Sequence, residues 1–235
     1  MRMIERTVDP NGRWLYRVGG VCALVLGLAY LAIFPLFARV GAPPTGGEAW
    51  LRYLDGKISV WWAILGLSIL TDLLYVPVAL SLYLALNRVN RGAMLLATAF
   101  VGLFVVLDLA VTWTNYASLL TLHGLYAGAA DDAQRAAYVA AANYASAVLA
   151  SPTEVLYAIV DLSAGIFIIG CVMLQGKRVF GRIAAYLALA AGLLGLASAA
   201  GFFVTMVLNA VLVTLWVLWL GVRLCHLDWR RDFES

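Results

Sequence analysis

The sequence predicts an all-α polytopic membrane helix bundle with six transmembrane helices, both termini cytoplasmic, and one short extracytoplasmic surface helix. Three observations carry this reading. The chain of 235 residues is 64% hydrophobic and only 12% charged, about half the ~25% charge of a soluble domain, and its mean hydropathy is +0.91. Its apolar residues gather into runs near or above the ~20 residues that cross a bilayer core. Its 16 Lys and Arg fall between those runs or at their ends. A net charge of +3 gives no footprint for nucleic acid, so lipid is the expected surroundings.

In order, the runs are Trp14–Phe37, Ser59–Leu86, Ala93–Leu119, Thr153–Leu174, Arg182–Ala200 and Val204–Leu224. The first exceeds a signal-peptide core of ~7–15 residues and reads as a retained helix. The last two share one uncharged block, Ile183–Val222. That block is about twice a single span, so a tight turn is expected near Gly201. Residues 1–235 thus form one integral membrane domain.

Basic residues set the orientation. Twelve Lys and Arg fall on the side of the two termini and four on the other, which places both termini in the cytoplasm and the chain, multi-pass, in the cell inner (plasma) membrane. The alanine-rich segment 131–150 is the ambiguous one. As a seventh span it would reverse the charge bias and put Arg135 and Asn143 in lipid. It reads better as an amphipathic helix on the outer surface, with Asp131 or Asp132 at its start, where an acid suits the helix N-terminus. Trp14, Trp61, Trp62, Trp113, Trp216 and Trp219 lie towards span ends and are expected at the membrane interfaces. Small residues at four-residue steps (Gly19, Ala23, Gly27; Ala184, Ala188, Gly192) permit close helix packing.

Chemistry-bearing residues are few. Three cysteines, an odd number, predict free thiols. With only His123 and His226, a multi-histidine zinc site is excluded. No metal and no cofactor is expected.

The informative residues are three aspartates near the middle of their spans: Asp72, Asp108 and Asp161. A charge there costs ~3 kcal/mol on insertion scales. A rise of 1.5 Å per residue puts them about 20, 17 and 12 Å below the outer border, in one layer. Helical spacing adds polar neighbours. Asp72 shares a face with Ser68 and Tyr75, Asp108 with Thr112, Asn115 and Tyr116, and Asp161 with Tyr157 and Glu154, while Asn209 projects from the sixth span. Polar faces in lipid turn inward, so Asp72, Asp108, Asp161, Tyr75, Thr112, Asn115, Tyr157 and Asn209 form the expected wall of an ion or substrate pathway. Glu154, near the border, reads as a first-turn acid. Pro77 removes the N–H that would bond the Leu73 carbonyl and is expected to bend the second span beside Asp72.

The stretch Asp161–Gly170 (DLSAGIFIIG), followed by the short basic turn Gly176–Arg182 (GKRVFGR) and an Ala/Gly/Leu-rich helix, resembles the bacterial six-helix membrane proteins of the domain-of-unknown-function 4386 family. Asp72 looks like a second shared feature. Members often carry a histidine a few residues before the fourth-span acid, where this chain reads Glu154–Tyr157 (EVLY). The resemblance implies six helices and an inner-membrane location. It implies no activity.

Three buried carboxylates without a basic neighbour need protons or a cation. The favoured function is therefore a small proton- or cation-linked transporter or permeation unit, with the lipid bilayer and protons or a small cation as its partners. The alternative is a non-catalytic membrane partner or regulatory subunit. An intramembrane enzyme, using an acid pair such as Asp72 and Asp161, comes third, because GxSxG and HExxH motifs are absent.

Overall fold

The computed structural model describes residues 13–176, 179–201 and 203–229. Lys177 and Arg178 of the basic turn, and Arg2 and Arg6 before the first span, lie outside them. Every regular element among the described residues is helical. The helices are α1 (Arg13–Val40), α2 (Gly47–Tyr53), α3 (Ile58–Leu86), α4 (Arg91–Leu107), α5 (Thr114–Ala127), α6 (Asp132–Leu149), α7 (Pro152–Val155), α8 (Asp161–Gln175), α9 (Gly181–Ala197) and α10 (Phe203–Trp229). A π-helical segment, Asp108–Trp113, joins α4 to α5, and a second, Leu156–Val160, joins α7 to α8.

Six helical stretches are long and apolar enough to cross a membrane: Trp14–Val40, Ile58–Leu86, Arg91–Ala127, Pro152–Gln175, Gly181–Ala200 and Val204–His226. The third is longer than the sequence suggests, because α4, the π segment and α5 run on as one element. Outward faces carry Leu28, Leu95, Val106, Leu193 and Val204, all exposed. A water-soluble monomer rarely shows so much contiguous apolar surface, and a bundle facing acyl chains must.

The spans close into a ring. α1 packs on α3 and α10, α3 on α4, α4 on α8, α8 on α9, and α9 on α10. Small residues make the close approaches. Ala184 and Ala188 of α9 are fully buried, and a methyl on Gly192 would press on Phe167. The expected tight turn is present: Ser198–Ala200 forms a 3-10 turn and Gly201 takes φ +79°, a left-handed conformation that glycine adopts without steric cost. α3 continues as helix through Pro77.

Two apolar cores divide the bundle. The larger joins the terminal half of α10 (Trp216, Leu220, Leu224) to Leu82, Leu86, Met94 and Ala184. The smaller lies at the opposite end, where α2 and α6 fold over the bundle. It gathers Trp50, Leu51, Leu54, Trp61, Leu119 and Ala142. Trp61 and Trp216 are therefore interior residues, 0% and 1% exposed, and not interface markers. Trp14 and Trp62 are exposed, as expected.

Local chemistry explains this second layer. Asp131 caps α6 by accepting from the Gln134 N–H at 2.7 Å, and Gln134 accepts in return from the Ala130 N–H at 2.8 Å. This differs from a capping box by one residue, since the return bond comes from Ala130 and not from the N-cap Asp131. α6 then supplies the capping groups of α2: Asn143 Oδ1 accepts from the Gly47 N–H at 2.6 Å and Ser146 Oγ from the Gly46 N–H at 2.8 Å. At the other end of α2, Tyr53 Oη and Lys57 Nζ each donate to the Val40 carbonyl at 3.0 Å, and the Lys57 ammonium lies 3.8 Å from the Tyr53 ring centre.

A Cβ on Gly47 would overlap the backbone of Ala142 and Asn143. Gly47→Ala is expected to destabilise the detergent-solubilised protein by about 1–3 kcal/mol, the cost of overpacking. Gly102→Ala, where the added methyl meets nothing within 4 Å, should be neutral or stabilising by up to ~1 kcal/mol. Thermal unfolding followed by tryptophan fluorescence checks both; equal melting points would refute the α2–α6 contact.

Candidate functional site

A cavity of about 370 Å³ lies inside the ring, in the half next to α2 and α6. Its wall comes from five of the six spans: Tyr30, Ile33, Phe34 and Phe37 of α1; Ser68, Thr71 and Asp72 of α3; Phe104, Asp108, Thr112, Trp113 and Tyr116 of the third; Glu154, Ala158, Ile159 and Leu162 of the fourth; Asn209, Ala210 and Val213 of α10. Three acids face it and no Lys, Arg or His does.

Asp72 and Asp108 form its polar centre, 3% and 4% exposed. The indole N–H of Trp113 donates to both, at 2.7 Å to Asp72 Oδ2 and 3.1 Å to Asp108 Oδ2. The two oxygens are thus no more than about 6 Å apart, the two bonds laid end to end. Thr112 faces the Asp108 carboxyl group, and Thr112 Oγ1 and Asp108 Oδ1 are both buried.

The π segments explain which residues reach the cavity. A regular helix turns about 100° per residue, which brings i+4 and i+7 onto one stripe. A π turn bonds i to i+5 and inserts one extra residue. In the third span this brings Trp113, five residues on, beside Asp108. It also carries Asn115 off the stripe: Asn115 donates to its own Val111 carbonyl at 2.8 Å and lines a separate groove between α5 and α6. In the fourth span, Ala158, Ile159 and Leu162 take the inner face. Asp161 and Tyr157 are only partly buried and do not line the cavity.

The structure therefore corrects the expected constellation. Of the three aspartates, Asp72 and Asp108 line the cavity and Asp161 does not; Glu154, in the first turn of α7 as expected, lines it as well. Asp72, Asp108, Thr112 and Asn209 line the cavity as expected. Asn209 is braced by a 2.7 Å bond from its Nδ2 to the Ala191 carbonyl. Tyr75 is buried behind the wall, where it accepts from Tyr30 Oη at 3.1 Å and meets Phe104 edge-on. Trp113, read from sequence as an interface residue, is the central donor. Its signal was the i+5 spacing from Asp108, which a regular helix leaves unused.

An aromatic stack lies on the α2 side of the cavity, with Trp113 and Tyr116 in its wall. Tyr116 stacks on Trp61, with ring centres 5.3 Å apart, and tilts against Trp113 at 5.5 Å. Trp50 of α2 reaches both Trp61 (5.5 Å) and Tyr116 (5.8 Å). Beyond the stack, His123 Nε2 lies 2.9 Å from Asp55 Oδ1, outside the cavity wall.

No group of three or more His, Cys, Asp or Glu among the described residues is placed to hold a metal ion. No protein-family profile, curated protein or solved structure matches the chain.

Replacing Trp113 by Phe deletes the shared donor and keeps the ring. The loss should be about 1–3 kcal/mol of stability, the range for a hydrogen bond to a charged or buried acceptor. In a double-mutant cycle with Asp108→Asn the two effects should couple by ~0.5 kcal/mol or more. Strict additivity would show that the N–H does not hold the pair.

Proposed function

We propose that the chain is a small proton- or cation-linked transporter or permeation unit of the inner (plasma) membrane, with six spans, both termini cytoplasmic and α6 on the outer surface. The observation that carries this is the Asp72–Asp108 pair, buried around one N–H in a wall without a basic side chain. Magnitudes decide the point. Two charges ~6 Å apart repel by roughly 3 kcal/mol at an effective dielectric of ~20, and each loses several kcal/mol of hydration. One neutral donor returns about 1.5–3 kcal/mol. The balance calls for a proton or a cation at the pair, and exchange of either is the elementary step of coupled transport.

The membrane placement is supported by the twelve-to-four split of basic residues. In that orientation the α2–α6 layer is external and the cavity lies in the outer half. The resemblance in the fourth span and its following turn supports the same six-helix inner-membrane placement.

A second reading is an intramembrane hydrolase with Asp72 and Asp108 as a proton-sharing dyad, which their closeness favours. It differs in needing both acids for bond cleavage and neither for ion flux.

Proteoliposomes with a trapped pH dye and an imposed sodium or potassium gradient test the transport reading. Asp72→Asn and Asp108→Asn should each lower flux at least about tenfold, the equivalent of one lost charge-assisted contact. Asp161→Asn, outside the cavity, should leave flux near wild type. Flux that survives both cavity variants would overturn the proposal.

A further inference from the structure

The cavity says more about its cation than its charge does. A proton needs no space, yet the void of about 370 Å³ equals roughly a dozen waters at ~30 Å³ each. Calcium and magnesium want about six oxygen ligands in a compact shell, and no three acids, histidines or cysteines among the described residues converge to hold one. Most of the wall is apolar, with the rings of Tyr30, Phe34, Phe37, Phe104, Trp113 and Tyr116 around it. A cation over such rings is stabilised, and more strongly when desolvated.

The three acids of the wall, Asp72, Asp108 and Glu154, point to the head group. An ionised carboxylate can only accept. Its strongest partner is a cation that carries N–H donors. A primary ammonium brings three donors and no acceptor. A quaternary ammonium would satisfy the rings and leave the oxygens unmet.

We propose that the cavity is a binding site for a small primary organic ammonium with an apolar body about the size of one aromatic ring. Its head group lies between Asp108, Thr112 and Asp72, and its body lies among the α1 and third-span rings. This rests on the reading of the cavity as a cation site, and it names the class of cation.

The test uses the full chain in nanodiscs, with benzylammonium chloride as the probe and benzyl alcohol as its neutral isostere. Binding is read by titration calorimetry at neutral pH. Benzylammonium should bind roughly ten- to hundredfold tighter than benzyl alcohol, the range for a charge-assisted hydrogen bond. Asp108→Asn should erase most of that preference, and Thr112→Val should reduce it. Equal binding of charged and neutral probes to the wild type overturns the proposal without need of a variant, and so does absence of binding by either. A wild-type preference in a folded Asp108→Asn protein overturns it too. The flux assay separates the two readings: carboxylate-dependent sodium or proton flux without benzylammonium binding defeats this inference and leaves transport standing. Carboxylate-dependent benzylammonium binding without any flux supports the ammonium site and defeats transport.

Discussion

One N–H between two carboxylates organises the interior of this protein. Trp113 reaches Asp72 across the helix interface and Asp108 along its own helix, at 2.7 and 3.1 Å. Two acids from neighbouring spans are thereby tied at one point, deep in a bundle whose outer faces are leucine and valine. Burial without that tie would leave four acceptor oxygens with no common donor, at ~1–3 kcal/mol for each unmet group. Thr112 faces the Asp108 carboxyl group from the same span, so the donors near the pair are one N–H and one hydroxyl. Two acids with so few donors beside a void leave room for a ligand that brings its own.

The backbone is adapted to this arrangement. Both π segments lie where the chain passes the cavity, Asp108–Trp113 on one side and Leu156–Val160 on the other. Each shifts the facing of everything after it by about one residue, or ~100°. The first shift puts an indole where the acid pair needs a donor. The second points Ala158 and Ile159 inward and moves Asp161 out of the wall. Such segments concentrate at functional sites, and here the geometric reason is visible in the Trp113 bonds.

That displacement also marks where the sequence stops being legible. Six spans, the turn at Gly201 and the α6 helix with its acidic cap follow from run length and cap chemistry, which are local. Asp72, Asp108, Thr112 and Asn209 were legible as inward polar residues because a charge or amide in lipid has few other places to go. Stripe arithmetic failed downstream of each π turn, at Asn115 and at Asp161, since it assumes 3.6 residues per turn throughout. Trp113 was missed for a related reason: tryptophan near a span end usually marks an interface, and only the i+5 bond reveals its inward role. The interior placement of Trp61 and Trp216 depends on α2 folding back over the bundle and on α10 closing the ring. Both are long-range contacts that no local pattern encodes.

The two ends of the bundle differ, and the difference constrains any traffic through it. Towards the termini, Trp216, Leu220, Leu224, Leu82, Leu86 and Met94 pack solidly. Towards α2 the cavity is bounded by rings that touch edge to face or in tilted stacks: Trp50, Trp61, Trp113 and Tyr116. A cation leaving through the apolar half would have to separate several spans and expose a charge to their side chains. Leaving on the α2 side asks for a change among aromatic rings anchored by the Asn143 and Ser146 caps of α2 and the Tyr53 and Lys57 bonds to Val40. Each bond is worth about 0.5–1.5 kcal/mol net, and the buried Trp50, Leu51, Leu54 and Trp61 of the smaller core must be unpacked as well. The two ends thus set different barriers: rings, caps and a small core on the α2 side, and separation of whole spans on the other.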